Sequence, residues 1–561
     1  MNGESSSASP QFEKIWLKSY PKGMPTEIDV NAYTSIADVL EHSVERFRQR
    51  PSFANMGTEL TYGDLDQKTR DFAAYLQHDL GLQKGDTIAI MMPNLLQYPI
   101  ALFGALRAGL SVTNVNPLYT PRELKHQLKD SGACCVVILE NFCHKLTEIL
   151  TETQVKTVIT TRIGDMLQFP KSALVNFVVK RIKKMVPAYQ LPNEVNFKHV
   201  LQVGKQHEFK PVEIHKQDIA FIQYTAGTTG AAKGVLLSHG NIVANIQQTS
   251  AWISPRVIEG KEIIITPLPL YHIFSLTANC LLFMKVGAMI YLITNPRDFK
   301  GFVNELRKVR FSAITGVNTL FNALLNTPGF TDLDFSALKI PLGGGMAIQK
   351  AVAERWTAVT GQTIIEAYGL TETSPGVCIN PMDLAGYNGK IGLPLPSTEC
   401  SIQKDGKLLP IGEAGELCVR GPQVMQGYLN RPEQTATVLT ADGWFHTGDI
   451  ACMDENGYLQ ILERKDDMIL VSGFNVYPNE VEGVVADHPG VLEVAAIGVP
   501  DEKSGEVVKI VVVKKDPGLT EEILHRHCKK ELAAYKVPKH IEVRDALPKS
   551  NVGKILRREL R

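Results

Sequence analysis

QDIAFIQYTAGTTGAAKG, residues 217–234, sets two incompatible kinds of sequence side by side, and reconciling them decides the fold. QDIAFIQY (217–224) is a short apolar run with β-branched and aromatic residues, which reads as a buried strand. The ten residues from Thr225 to Gly234 hold three threonines, three glycines and one lysine. They cannot form a packed element, because glycine is costly inside helices and strands and threonine beside glycine marks turns. A loop of this kind directly after a strand suits a ligand wrapped by backbone N–H groups, and phosphate is the ligand such a nest favours. A simple surface turn is the competing reading.

Working outward, apolar β-rich runs alternate with amphipathic stretches. DTIAIMM (86–92) precedes LQYPIALFGALRAG (96–109), and ACCVVIL (133–139) precedes NFCHKLTEILTE (141–152). Such alternation predicts parallel sheets covered by helices. The last hundred residues read as a separate small unit, with EVAAIGVP, KIVVVKK and HIEVRDAL as strands and LTEEILHRHCKKELAAYK as a helix. Before them, ERKDD (463–467) packs five charges between two apolar strands, and reads equally as a hinge or as a solvated turn.

Composition narrows the class. A chain of 561 residues exceeds a single core, so two or more domains are expected. Lys plus Arg equals Asp plus Glu at 59 each, which argues against nucleic acid as a main partner. Nine cysteines without C-x-x-C spacing suit buried thiols in a reducing, cytoplasmic compartment, and the N-terminal residues carry no secretory pattern. Two long uncharged runs, 87–106 and 263–284, read as interior segments; Pro267, Pro269, His272 and Asn279 break the second into strand, loop and helix start. Between Met166 and Asn193 five basic residues (Lys171, Lys180, Arg181, Lys183, Lys184) interleave with apolar ones and no acidic residue occurs. Residues 171–186 thus read either as a contact with an anionic membrane or as an ordinary surface helix.

The loop is not a Walker A motif, since Gly230 and Lys233 are separated by two alanines and no hydroxyl follows the lysine. It also lacks the dinucleotide G-x-G-x-x-G, and the chain has neither a G-x-S-x-G elbow nor an H-E-x-x-H helix. TAGTTGAAKG instead resembles the phosphate loop of the adenylate-forming superfamily. The resemblance continues in order through YGLTET (368–373), GELCVRGPQVMQGY (415–428), WFHTGDI (444–450), ERKDD, SGFNVYPNEVE (472–482) and PKSNVGKILRREL (548–560), covering about residue 35 to the end. DGWFHTGDIACMDENGYLQILERKDDMILVSGFNVYPNEVE, with MMPNLLQYPIALFG, VNPLYTPREL and ITGVNTLFNALL, is similar to the bacterial long-chain fatty-acid–CoA ligase family.

The resemblance implies an α/β chain. A large N-terminal domain of parallel-rich sheets and helices with a small β-structured part (1–462) is followed by a hinge (463–467) and a small mobile α+β C-terminal domain (468–561). It implies activation of a long-chain fatty acid by ATP and coenzyme A, with Mg²⁺, feeding fatty-acid degradation and lipid synthesis, in a homodimer peripherally associated with membrane. Thr225, Ala226, Gly227, Thr228, Thr229, Gly230 and Lys233 would hold the β- and γ-phosphates, with Ala226 standing where relatives often have Ser or Gly. Tyr368 would stack on adenine beside Gly369, with Gly343, Gly344 and Gly345 as the pocket wall. Thr371 would donate to the α-phosphate, Glu372 and Thr228 would serve Mg²⁺, and Asp449 with Arg464 would bind the ribose. Taken alone, Thr-Glu-Thr could equally cap a helix, and the glycines and Gly448-Asp449 could be turns.

Lys554 lies between a glycine turn and a basic C-terminal helix, and alone would read as one surface cation among several. By resemblance it enters the active site for adenylation and withdraws for thioester formation, while Gly473, Phe474 and Asn475 face a coenzyme A channel. Asp466 corresponds to the hinge residue, where close relatives often carry Lys. His272, Phe274, Val317 and Leu320 are expected at the acyl pocket, with His272 near the carboxylate or, alternatively, a satisfied core histidine. PLYHIF contains no acidic residue, favouring a plain fatty acid over an amino acid. The alternatives are a fatty-acyl-AMP ligase that stops at the adenylate and a catalytically silent nucleotide- and lipid-binding protein.

Overall fold

The computed structural model describes residues 13–225, 232–501 and 503–561. The run that opened the sequence is a strand, Ile219–Thr225, and the residues after the loop return as a second strand, Lys233–Ser238. The two pair antiparallel, with Tyr224 opposite Gly234 and Thr225 opposite Lys233. Ala226, Gly227, Thr228, Thr229 and Gly230 lie outside the described residues.

Among the described residues this pair belongs to an eight-stranded sheet. Ile219–Thr225 lies parallel to Ser111–Asn114, which continues through Thr87–Met91, Cys135–Leu139, Thr157–Thr161 and Glu194–Asn196, all parallel. Lys233–Ser238 and Gly427–Tyr428 finish the opposite edge antiparallel. The parallel part is what strand–helix alternation predicts: strands buried on both faces, as in Thr87–Met91, read as continuous apolar runs. A nine-stranded sheet among the described residues carries Ile263–Thr266, Met289–Leu292, Ala313–Gly316, Ile340–Gly343 and Ile365–Gly369 in parallel. Gly376–Ile379 then turns back antiparallel. The second uncharged run is interior, as expected, with Ile263–Thr266 as strand and helical structure from Ile273. No helix among the described residues is long and apolar enough to cross a membrane.

The small β-structured part is an antiparallel sheet of Glu399–Lys404, Lys407–Leu408, Gly415–Arg420, Phe445–Met453 and Leu459–Arg464. Phe445–Met453 alternates buried and half-buried residues along its whole length, the period-2 pattern of a sheet with one face on the core. The tail has its own sheet, built on Val491–Asp501 and Gly505–Lys514, with helices Pro478–Ala486 and Glu521–Glu531 and a core that includes Ile469, Val481, Ile510 and Leu524.

Three expectations need correction. The stretch 141–152 is not one helix: it breaks into Glu140–Phe142, Cys143–Thr147 and Leu150–Glu152, and the Thr147 hydroxyl turns back to the Cys143 carbonyl at 3.1 Å. No helix follows Lys554. Ile555 bridges Lys549 and the Leu556 N–H donates to the Pro548 carbonyl at 2.9 Å, which holds the chain extended until a single 3₁₀ turn at Arg557–Glu559. Nor is ERKDD wholly a solvated turn. Glu463 and Arg464 end the strand Leu459–Arg464 and Glu463 is buried, so the turn begins at Lys465.

Candidate active site

The C-terminal ends of the parallel strands, the small sheet and the tail enclose one cavity of about 2640 Å³. Helix His239–Ile253 organises its floor. Ser238 caps it by accepting from the Asn241 N–H at 3.1 Å, and Asn241 then donates to the Pro422 and Val424 carbonyls at 2.8 Å each. One turn on, the Asn245 amide brackets Gly376, accepting from its N–H at 2.9 Å and donating to its carbonyl at 2.8 Å. These bonds fix the turn Thr371–Thr373 together with Thr277 to the Ser374 carbonyl, Ser374 to the Gln423 carbonyl and the Met425 N–H to the Glu372 carbonyl, each at 2.8 Å. A polar turn inside a protein persists only when its backbone groups are satisfied in this way.

Thr371 and Glu372 line the cavity, and the Glu372 carboxylate accepts from the Tyr428 hydroxyl at 2.9 Å. Lys233 sits with its ammonium 5.0 Å from the centre of the Tyr428 ring. Tyr368 donates to Asp449 at 2.5 Å, and Arg464 donates to the other Asp449 oxygen at 2.8 Å. Burial and then the Asp449 charge hold the Tyr368 hydroxyl well above its ordinary pKa, so it remains a donor. Burial pulls Arg464 down, but Asp449 and its other neighbours outweigh that and its pKa rises. Asp449 is thereby a buried carboxylate with two partners already in place.

Lys554 reaches this cavity from the tail. Gly553, at φ +85°, makes the turn, and its carbonyl accepts from the Thr319 hydroxyl of the large domain at 2.8 Å. The Lys554 ammonium faces the open cavity, which explains why the residue keeps accessible surface although protein surrounds it. Enclosure in the cleft and the nearby Arg464 charge lower its pKa, with Asp449 opposing. His272 shares the cavity. Burial, then the Lys554 charge, push its pKa down to about 4, and its Nδ1 accepts from the Phe274 N–H at 3.3 Å. The ring is therefore neutral at physiological pH with its proton on Nε2.

The structure thus brings Lys233, Gly344, Gly345, Tyr368, Gly369, Thr371, Glu372, Asp449, Arg464, Asp466, Lys554, His272, Phe274 and Val317 to one cavity, along with Thr225. It does not bring Gly343 there: a Cβ on that residue would meet Ile364 and Ile348 at 2.8 and 2.9 Å, so its smallness serves strand packing. Leu320 is likewise part of a core cluster and does not line this cavity. Gly473, Phe474 and Asn475 form an exposed hairpin tip away from the cavity, with Phe474 stacked on Tyr535 at 5.0 Å.

Several residues at the site went unread in the sequence. Asn245, Thr249 and Ile253, spaced four apart on one helix face, line an apolar flank with Ala278, Leu282 and Ile379. Glu366 lies at the wall, where burial raises its pKa to about 8 and its carboxyl accepts from the Ile348 N–H at 3.0 Å. Arg557 bridges Glu463 at 2.8 Å, Glu482 at 2.9 and 3.0 Å and Asn479 at 2.7 Å. Spacing four apart in a helix and an acidic residue two before Tyr368 were the available signals; Arg557 offered none.

Comparison with known proteins agrees with this architecture. Residues 40–429 match the AMP-binding enzyme family, and residues 480–554 match its C-terminal domain. The chain is 58% identical over 551 residues to a long-chain-fatty-acid–CoA ligase of Escherichia coli O6:H1, covering 98% of both chains. It is 38% identical over 559 residues to the protein of the same name from Bacillus subtilis, again covering 98% of each. Among solved structures, a benzoate CoA ligase from Burkholderia xenovorans superposes with a TM-score of 0.79 at 26% identity, over 94% of this chain and 99% of that one. The chain belongs to the AMP-binding enzyme family.

Proposed function

We infer that this chain joins long-chain fatty acids to coenzyme A, using ATP and passing through an acyl-adenylate. The observation that carries the reading is the convergence of Lys554, carried by the tail, with His272, Tyr368, Asp449 and Glu372 of the large domain around one cavity. In the first half-reaction a carboxylate oxygen attacks the α-phosphorus of ATP and the bond to the pyrophosphate oxygen breaks. In the second, the coenzyme A sulfur attacks the acyl carbonyl carbon, AMP leaves and the thiol proton is released. Both halves gather negative charge on crowded oxygens, so fixed donors and cations matter more than a covalent nucleophile.

The roles follow from the chemistry of each group. Lys554 bridges the fatty-acid carboxylate and the α-phosphate, with the neutral His272 beside the carboxylate as a donor that adds no second charge. Asp449 receives the ribose hydroxyls, and Tyr368 and Gly344 flank the adenine. Lys233 and Thr225 border the phosphate loop. The flank lined by Thr249, Ile253, Ala278, Leu282 and Ile379 suits an acyl chain, because its transfer from water is favourable in proportion to apolar area.

Mg²⁺ favours one or two carboxylates completed by substrate phosphates rather than an all-protein cage. No group of three or more metal-ligating side chains occurs among the described residues, while Glu372 offers a single carboxylate on the cavity wall. That fits, and Glu372 would hold the ion. Bound there, Mg²⁺ offsets phosphate charge. The reading extends to a homodimer attached peripherally to membrane, checked by sedimentation equilibrium and vesicle flotation.

The deciding experiment is AMP release from ATP, Mg²⁺ and oleate with and without coenzyme A, following the thioester in parallel. Coenzyme A-dependent turnover to oleoyl-CoA is expected. Pyrophosphate exchange without thioester would instead indicate an AMP ligase, and no turnover with any fatty acid would overturn the reading.

A further inference from the structure

Helix Pro121–Ser131 lies beside the two strands that flank the threonine- and glycine-rich run. Its start is fixed by a capping box: Thr120 accepts from the Glu123 N–H at 3.3 Å, and the Glu123 carboxylate accepts from the Thr120 N–H at 2.8 Å. Leu124 and Leu128 are buried. Between them Gln127 donates to the Thr113 hydroxyl at 2.8 Å and the Asn114 carbonyl at 3.0 Å, tying the helix to strand Ser111–Asn114. The helix is thus mounted on the sheet through one face. His126 and Asp130, one turn apart, share another face and reach the neighbouring strands.

Each grips a different strand end. His126 bonds the Ala232 carbonyl at 2.8 Å, one residue before the antiparallel ladder begins at Lys233. A carbonyl only accepts, so Nε2 carries the proton of this bond. Asp130 holds the other strand: one carboxylate oxygen accepts from the Tyr224 hydroxyl at 2.8 Å, and the other accepts from Arg431 at 3.3 Å. Burial and then Asp130 push the Tyr224 hydroxyl above its ordinary pKa, so it stays a donor. Arg431 follows the edge strand Gly427–Tyr428, and Leu429 between them donates its N–H to the Gly234 carbonyl at 2.8 Å. Three strand ends therefore meet one helix face. The residues next to the two gripped positions, Thr225 after Tyr224 and Lys233 after Ala232, both line the cavity. The sequence between them is rich in glycine and threonine and supplies little apolar surface of its own to fix these ends.

We propose that His126 and Asp130 are positioning residues for the nucleotide, holding Thr225 and Lys233 in place before ATP arrives so that binding its β- and γ-phosphates costs little further ordering. The proposal rests on the reading of the cavity as an ATP site. A helix that only covered the sheet would need neither bond, since Leu124, Gln127 and Leu128 already mount it.

The test compares the affinities of the full chain for ATP and for AMP, both with Mg²⁺, by calorimetry. His126→Leu and Asp130→Ala, the latter at a residue outside the cavity lining, should each raise Kd for ATP about tenfold. Kd for AMP, which has no β- or γ-phosphate, should stay unchanged. His126→Gln can donate the same bond and should bind ATP as the wild type does. In turnover, His126→Leu and Asp130→Ala should raise KM for ATP without moving KM for oleate, and should form thioester from supplied oleoyl-AMP at the wild-type rate. Equal weakening of ATP and AMP overturns the proposal, because it would show a general loosening of the large domain. So do unchanged ATP affinity in both variants and a His126→Gln variant as impaired as His126→Leu. Selective loss of ATP affinity in the variants, with no turnover of any fatty acid by the wild type, would sink the ligase reading and leave this one standing.

Discussion

At the scale of single residues, two titratable groups set what the cavity can do. Lys554 is the cation proposed to bridge the reacting carboxylate and phosphate, and the cleft and Arg464 both favour its neutral form. Lys554→Ala should therefore cost adenylate formation on the order of 10² to 10³. Thioester formation from supplied acyl-AMP should survive, and equal loss of both half-reactions would remove the role. Glu366 behaves oppositely. Its carboxyl is buried and has one backbone donor, and its pKa of about 8 lies above the unfolded value near 4.5. The folded state thus holds a proton that the unfolded chain gives up. The stability from that proton is complete below about pH 4.5, shrinks as pH rises, and is gone beyond about pH 8. Melting of wild type and Glu366→Gln across pH 5 to 9 should show the wild type losing stability relative to the variant as pH rises. Parallel curves would mean that Glu366 is ionised or solvated.

At the scale of elements, the segment from Pro548 to Arg557 carries the site's precision. Gly553 turns against Thr319, where a Cβ would meet the hydroxyl at 2.8 Å and Val317 at 3.2 Å. Gly553→Ala, strained both by its φ and by that contact, should displace Lys554 and depress adenylation while sparing the thioester step. Arg557 is the second anchor. It is largely buried and joins Glu463 at the end of the small sheet to Glu482 and Asn479 on the first tail helix. Truncating one partner of a buried ionic cluster costs about 3 to 5 kcal/mol because the others are left uncompensated. Arg557→Ala is expected to loosen this orientation of the tail and reduce adenylation on the order of a hundredfold, with Arg557→Lys intermediate; unchanged half-reaction rates would show the cluster to be incidental. Sequence revealed the strands of the tail and marked Lys554 as a candidate, since apolar period and motif order survive in one dimension. It could not reveal the extended path after Lys554. ILRREL reads as helical by propensity, and only tertiary pairing of Ile555 with Lys549 and of Arg557 with its acids overrides it. Leu320 and Gly343 lie off the cavity for a related reason: neighbours in a motif can point to opposite sides of a strand or helix, and a motif does not say which side holds the cavity.

At the scale of the whole molecule, the tail packs with Lys554 in the cavity, while Gly473, Phe474 and Asn475 stand exposed on its far hairpin. On the proposed mechanism the two half-reactions need different arrangements of the tail, with Lys554 in the cavity for adenylation and withdrawn for attack by the thiol. A large-domain sheet ending at Arg464 and a tail sheet beginning at Ile469 leave a short turn between them to absorb any reorientation. The two-part layout was readable from the sequence as a change of pattern and a run of five charges, but local composition fitted a solvated turn equally well. In the structure Glu463 is buried under Arg557 while Asp466 lies just beyond the sheet, its carbonyl accepting from Arg561 at 3.4 Å. We propose Asp466, between the strand ends at Arg464 and Ile469, as the pivot for a reorientation of the tail. Proline there fixes φ near −65° and also restricts Lys465. Asp466→Pro should leave one orientation accessible, so that the two half-reactions, measured separately, respond unequally. Adenylation is expected to persist and thioester formation from supplied acyl-AMP to fall about tenfold or more. Equal rates for both steps in wild type and variant would place the pivot elsewhere or make rotation unnecessary.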